Sequence, residues 1–229
     1  MLFRNDHSIV RCKLSDINES RAMDNIDLPD QFFTRQDESP DTEFYVSPRF
    51  CTHIDDATID NLTQYYREEL PASYRLLDLM SSWVSHLPKE VNYQRVAGLG
   101  MNAAELAENP QLDEFTVHNL NETLKLPYAT HSFDAVTIAV SIQYLAHPFE
   151  TFVEIGRVLK PGGKCIVSMS HRLFPTKAIY AFHVLPPGDR CRLVSTYLFQ
   201  TEMFETIETI DRSPPNADPL WLIVGNMKL

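Results

Sequence analysis

The chain has 229 residues, a formal net charge of −11 and 44% hydrophobic residues. That length suits one large α/β domain with additions, and the composition is that of a soluble globular protein. The acidic balance, with no basic run, excludes a nucleic-acid phosphate backbone as the main partner, and no stretch nears the roughly 20 apolar residues of a membrane span.

Four cysteines, Cys12, Cys51, Cys165 and Cys191, stand far apart with no Cys-x-x-Cys pair. Reduced structural thiols in a cytosol are therefore expected. The amino terminus has no apolar signal core, and its acids argue against a transit peptide, so a cytoplasmic location is expected. The eight histidines are scattered, with none at helical i, i+4 spacing beside an acid, so no metal is expected.

Residues 1 to about 45 are polar, acidic and weakly periodic, and read as an irregular arm lying on the main domain. The first two dozen are expected to be loosely attached, while Phe32 to His53, with its clustered aromatics, is expected over the mouth of a crevice. Asp55 or Asp56 is placed to cap a helix carrying Ile59, Leu62 and Tyr66 and ended by Pro71. The loop before it holds Tyr45, Arg49 and His53, which can reach a pocket. Residues 1–71 thus form an arm and capping helix, and residues 72–229 the α/β domain.

The organising stretch is Arg75-Leu76-Leu77-Asp78-Leu79-Met80-Ser81-Ser82-Trp83-Val84. An apolar run with one acid near its end, followed by small polar residues, is how a buried parallel strand ends at a ligand crevice. A buried acid there must bond its own turn or a ligand. A short helix is expected over residues 82–87, closed by Pro88. Residues 95–99 form the second strand, and Asn102 caps a helix over 103–108. Residues 114–117 are the third strand, ending in His118-Asn119-Leu120-Asn121. The nearly all-apolar run 133–140 is the fourth strand and central, with Ser141 at its carboxyl end. Pro148 opens a helix whose inner stripe is Phe149, Phe152, Val153 and Leu159, with Gly156 on the same face. Residues 165–169 form the fifth strand, 193–198 a helix, and 204–210 and 220–224 two closing strands. This alternation predicts an α/β, doubly wound, mostly parallel seven-stranded sheet with the last strand antiparallel.

The run from Leu126-Pro127-Tyr128 through Ser132-Phe133-Asp134-Ala135-Val136 and Tyr144-Leu145 to Arg157-Val158-Leu159-Lys160-Pro161-Gly162-Gly163 resembles the class I S-adenosylmethionine-dependent methyltransferases. The resemblance covers residues 72–229 strand by strand and implies their Rossmann-like fold. It implies S-adenosylmethionine as cofactor, with Asp78 on the methionine amine and the backbone of Leu79, Met80, Ser81 and Ser82 around it. Gly98, Gly100 and Met101 would hold the ribose by main chain or water, Asn119 the adenine amine, and Leu120 and Ser141 would border the site. The chain departs from the family in two places. Met80, Ser82 and Val84 stand where the family carries glycines, and Gly100 stands where it carries the acid that takes the ribose hydroxyls.

The function implied is methyl transfer to a small-molecule acceptor. Candidate bases are His171, past the fifth strand, and His53. Arg49 and Arg172 can attract an anionic acceptor, and Ile179, Tyr180, Phe182 and Val184 either line an apolar wall or pack as a cover. The alternative is a catalytically inactive, methyltransferase-like binding or regulatory protein. A nicotinamide enzyme is disfavoured, because the chain lacks both G-x-G-x-x-G after the first strand and the acid after the second.

Overall fold

The computed structural model describes residues 9–10 and 28–229. The expectation of a loosely attached amino terminus falls mostly outside them. The strands are β1 (Ile9–Val10), β2 (Arg75–Leu79), β3 (Arg95–Gly100), β4 (Glu114–Val117), β5 (Phe133–Ala139), β6 (Leu159–Met169), β7 (Phe204–Asp211) and β8 (Trp221–Met227). They form one sheet in the order β1-β7-β8-β6-β5-β2-β3-β4. Strands β2 to β6 run parallel, and β8 inserts antiparallel between β6 and β7. This is the expected seven-stranded arrangement with β5 inside it, and the two-residue β1 adds an antiparallel edge beside β7.

The helices are α1 (Asp41–Phe44), α2 (Asp56–Glu69), α3 (Ala103–Ala107), α4 (Pro148–Val158), α5 (Ala181–Val184) and α6 (Pro187–Phe199). Side chains alternate across each strand, so the sheet has two apolar faces. Leu76, Val96, Ala135 and Ile166 pack under Leu62, Tyr65 and Tyr66 of α2. Leu77, Leu99, Val136 and Val167 pack under Phe152 and Ile155 of α4 and Val194 and Tyr197 of α6. Asp55 caps α2 by accepting from Thr58 N, and Pro148 sits in the first turn of α4. Contrary to the expected stripe, Val153 faces solvent and Leu159 lies past α4 at the start of β6, while Ile155 is buried on the inner face.

Residues 82–87 form no helix. Their polar groups bond elsewhere: Asn109 Nδ2 donates to Ser82 O, Gln111 Nε2 to Leu87 O and Thr63 Oγ1 to His86 O. His86 also has φ 55, which a right-handed helix cannot contain.

A buried lysine is one of the points that fasten the arm. Lys177, with no exposed surface, donates to Ser39 O at 2.6 Å and Asp37 O at 3.2 Å. Its Nζ also lies 3.5 Å from Asp41 Oδ1, which takes Arg35 Nη1 at 2.6 Å. Tyr180 N donates to Thr34 O and Asp37 N to Thr176 O, so the segment after β6 and the arm form one layer.

Candidate functional site

The carboxyl ends of β2, β3, β4 and β5 open into one cavity roofed by residues 41–54. At the end of β2, Met80 adopts φ 58. A left-handed turn there favours glycine, so the backbone makes the turn without the residue that makes it cheaply. Ser81 N then donates to Leu99 O at 2.8 Å, which draws the turn against β3.

Asp78 is buried and accepts from Ser81 Oγ at 2.5 Å, Ser85 Oγ at 2.6 Å and Thr137 Oγ1 at 3.3 Å. Burial pushes its carboxyl up to about 6, against the lowering effect of the three hydroxyls. Oδ2 takes both serines, and Oδ1 has only the longer bond from Thr137.

Past β3, Asn102 caps α3 by accepting from Ala104 N and Glu105 N, and donates to Tyr45 O at 2.8 Å. Glu105, 7% exposed, accepts from Arg49 N at 2.7 Å and from Ser82 Oγ at 2.6 Å. Past β4, Asn119 Oδ1 accepts from Asn121 N at 3.0 Å. Its Nδ2 is buried with no hydrogen-bond partner, and so is Ser141 Oγ beyond β5.

The outer half of the cavity is aromatic. Tyr144 stacks on Phe174 at 5.6 Å, and His53 meets the same ring edge-on at 5.0 Å. The Arg49 guanidinium lies 4.4 Å from the centre of the Phe44 ring and donates to Phe44 O. Burial holds His53 below the usual histidine range, with Glu105 opposing and Arg49 adding to the effect. The imidazole is therefore neutral at neutral pH.

The cavity brings together Asp78, Met80, Ser81 and Ser82 from the first turn, Gly100 and Met101 from the second, and Asn119, Leu120 and Ser141 from the others. It also includes His53. Leu79 lies outside it, fully buried on the α4–α6 face of the sheet. Gly98 faces Leu112 instead. His171 is also outside: its Nε2 lies 3.2 Å from Asp218, which holds Arg172 as well. That carboxylate and Asp55 exchange bonds with each other's backbone amides, so the cluster fastens the start of α2 to the loop before β8. Ile179 and Phe182 are buried in the core, Tyr180 and Val184 face solvent, and Phe174 supplies the apolar wall.

Sequence reasoning missed Glu105 and His86 in the lining. Glu105 reads as a polar residue of a short helix, and only the position of Ser82 across the crevice shows its inward direction. No group of side chains able to hold a metal ion occurs among the described residues, and no helix among them is long and apolar enough to cross a membrane.

Residues 81–167 match a methyltransferase domain family. The chain is 34% identical over 89 residues to a demethylmenaquinone methyltransferase of Renibacterium salmoninarum, a match spanning 38% of this chain and 36% of that enzyme. The fold is similar to that of an S-adenosylmethionine-dependent methyltransferase from Mesorhizobium loti, with TM-score 0.52, 18% identity and coverage of 73% of this chain and 99% of that one. It is similar also to Haemonchus contortus phosphoethanolamine N-methyltransferase 2 in complex with S-adenosyl-L-methionine, with TM-score 0.54, 15% identity and coverage of 74% and 52%.

Proposed function

We propose that the chain is a class I S-adenosylmethionine-dependent methyltransferase, whose cavity binds S-adenosylmethionine and presents its methyl group to a small-molecule acceptor; the domain match and the shared fold support this. The observation that carries the reading is the pair of unpartnered groups, Asn119 Nδ2 and Ser141 Oγ. Both are buried polar atoms of residues that line the cavity, and a buried polar atom without a partner costs about 1–3 kcal/mol. A crevice that had lost its ligand has no reason to keep both.

The other residues fit the cofactor. Asp78 offers Oδ1 to the cationic methionine amine, and the narrow turn of Ser81 and Ser82 leaves room beside it. Asn119 faces a ring nitrogen of the adenine rather than its amine, because Oδ1 is occupied and Nδ2 is a donor. When bound, the cofactor supplies an activated methyl on a sulfonium, so the protein chiefly aligns the acceptor.

The aromatic outer half, with Tyr144, Phe174 and His53, suits a planar acceptor of mixed polarity. The demethylmenaquinone in the relative's name is a ring of that kind. His53 is neutral and lines the cavity, so it is placed to take a proton from such an acceptor.

Equilibrium dialysis with methyl-labelled S-adenosylmethionine tests the reading. The wild type should retain label, and the Asn119→Ala, Ser141→Ala double variant should bind at least tenfold more weakly. Equal retention by the two proteins would remove the role given to these two groups.

A further inference from the structure

Gly100 closes β3 without a side chain, and none fits there. A Cβ would stand 2.1 Å from the carbonyl oxygen of Ser81, a backbone atom fixed by the Ser81–Leu99 bond. An acid at that strand end therefore has no place in this chain.

Five residues on, Glu105 sends a carboxylate into the same cavity from the first turn of α3. It forms no ion pair with any cationic side chain among the described residues. Its bonds come from a backbone amide, Arg49 N, on Oε1 and from Ser82 Oγ on Oε2. A carboxylate has about four lone-pair sites, so each oxygen keeps one open. A buried charge without a counter-charge is costly, and further donors are what it lacks.

We propose that Glu105 takes the vicinal ribose hydroxyls of the cofactor, entering from the helix rather than from the strand end. The inference rests on the reading that the cavity holds S-adenosylmethionine. A vicinal diol offers two O–H donors and a carboxylate accepts two. The site also ties the roof to the ligand, because Arg49 N bonds the same carboxylate.

The test is calorimetric, with S-adenosylhomocysteine and its 2′,3′-dideoxy counterpart. Wild type should bind the dideoxy compound at least tenfold more weakly. Glu105→Gln should lose at least tenfold for S-adenosylhomocysteine and little more for the dideoxy compound, so that the discrimination disappears. A merely structural role would weaken both ligands equally and leave the ratio intact, which would overturn the proposal while the cofactor reading stands. Should Glu105→Gln not fold, the wild-type ratio still decides: equal affinity for the two ligands overturns the proposal. If wild type binds neither ligand, the cofactor reading falls and this inference with it.

Discussion

Ser81 and Gly100 occupy each other's space: the carbonyl of the one fills the volume that a side chain on the other would need. The bond from Ser81 N to Leu99 O holds them in that relation. Gly100→Asp therefore does not restore a strand-end acid. It pushes the turn off β3 and should destabilise by about 1–3 kcal/mol, the usual cost of overpacking. Thermal denaturation reads this, and an unchanged melting temperature would show that the turn yields freely.

Met80 stands at φ 58, and its side chain both packs on the core and borders the cavity. Met80→Gly removes the left-handed strain but adds freedom to the unfolded chain and gives up contact. These oppose, so stability should stay within about 1 kcal/mol. Cofactor affinity should be unchanged or improved, and a clear loss of affinity in a folded Met80→Gly protein would show that the side chain itself holds the ligand.

Much of this fold is legible in the chain. Strands β2, β3, β5 and β6 read as apolar runs because both faces of a parallel sheet are covered. The turn after β2 is where reading fails. Ser81 and Ser85 look like ordinary residues of a helical start, but both hydroxyls go to Asp78. The carbonyls of Ser82, His86 and Leu87 find their partners on Asn109, Thr63 and Gln111, contacts that exist only once the chain has folded. Glu105 and His171 fail for the same reason. Strand ends mark the crevice, but which side chain turns inward is set by neighbours distant in sequence, such as Ser82 for one and Asp218 for the other.

Asp78 makes stability depend on pH in a defined direction. Its folded-state carboxyl sits at about 6 against an ordinary value of 3.8, so the folded state holds the proton more tightly. The wild type therefore loses stability as pH rises from about 4 to 6, and the full penalty is present above that. Asp78→Asn escapes it, and its stability relative to wild type should grow by about 3 kcal/mol across the window. Denaturant titrations at pH 4, 5, 6 and 7 measure the gap, and a gap that stays constant contradicts the assignment. Affinity of the wild type for a cationic amine should rise over the same window, as the carboxylate forms.

Lys177 is fully buried among Asp37, Ser39 and Asp41. Lys177→Met leaves the carboxylate of Asp41 with less compensation and should cost about 3 kcal/mol or more. The loss should appear first as faster hydrogen exchange at the amides of Asp37 and Tyr180, which join the arm to the segment after β6. Unchanged exchange there would show that the arm is held by its other contacts.

The central claim is that the cavity at the ends of β2 to β5 holds S-adenosylmethionine with Asp78 at its cationic end. Calorimetric titration of wild type and Asp78→Asn with S-adenosylhomocysteine tests it most directly, with melting temperatures taken beside each titration. The expected result is one saturable site of micromolar affinity in wild type, weakened at least tenfold in a folded Asp78→Asn protein, as loss of a charged hydrogen bond of about 1.5–3 kcal/mol requires. No binding by folded wild type, or binding that ignores the substitution, would contradict it.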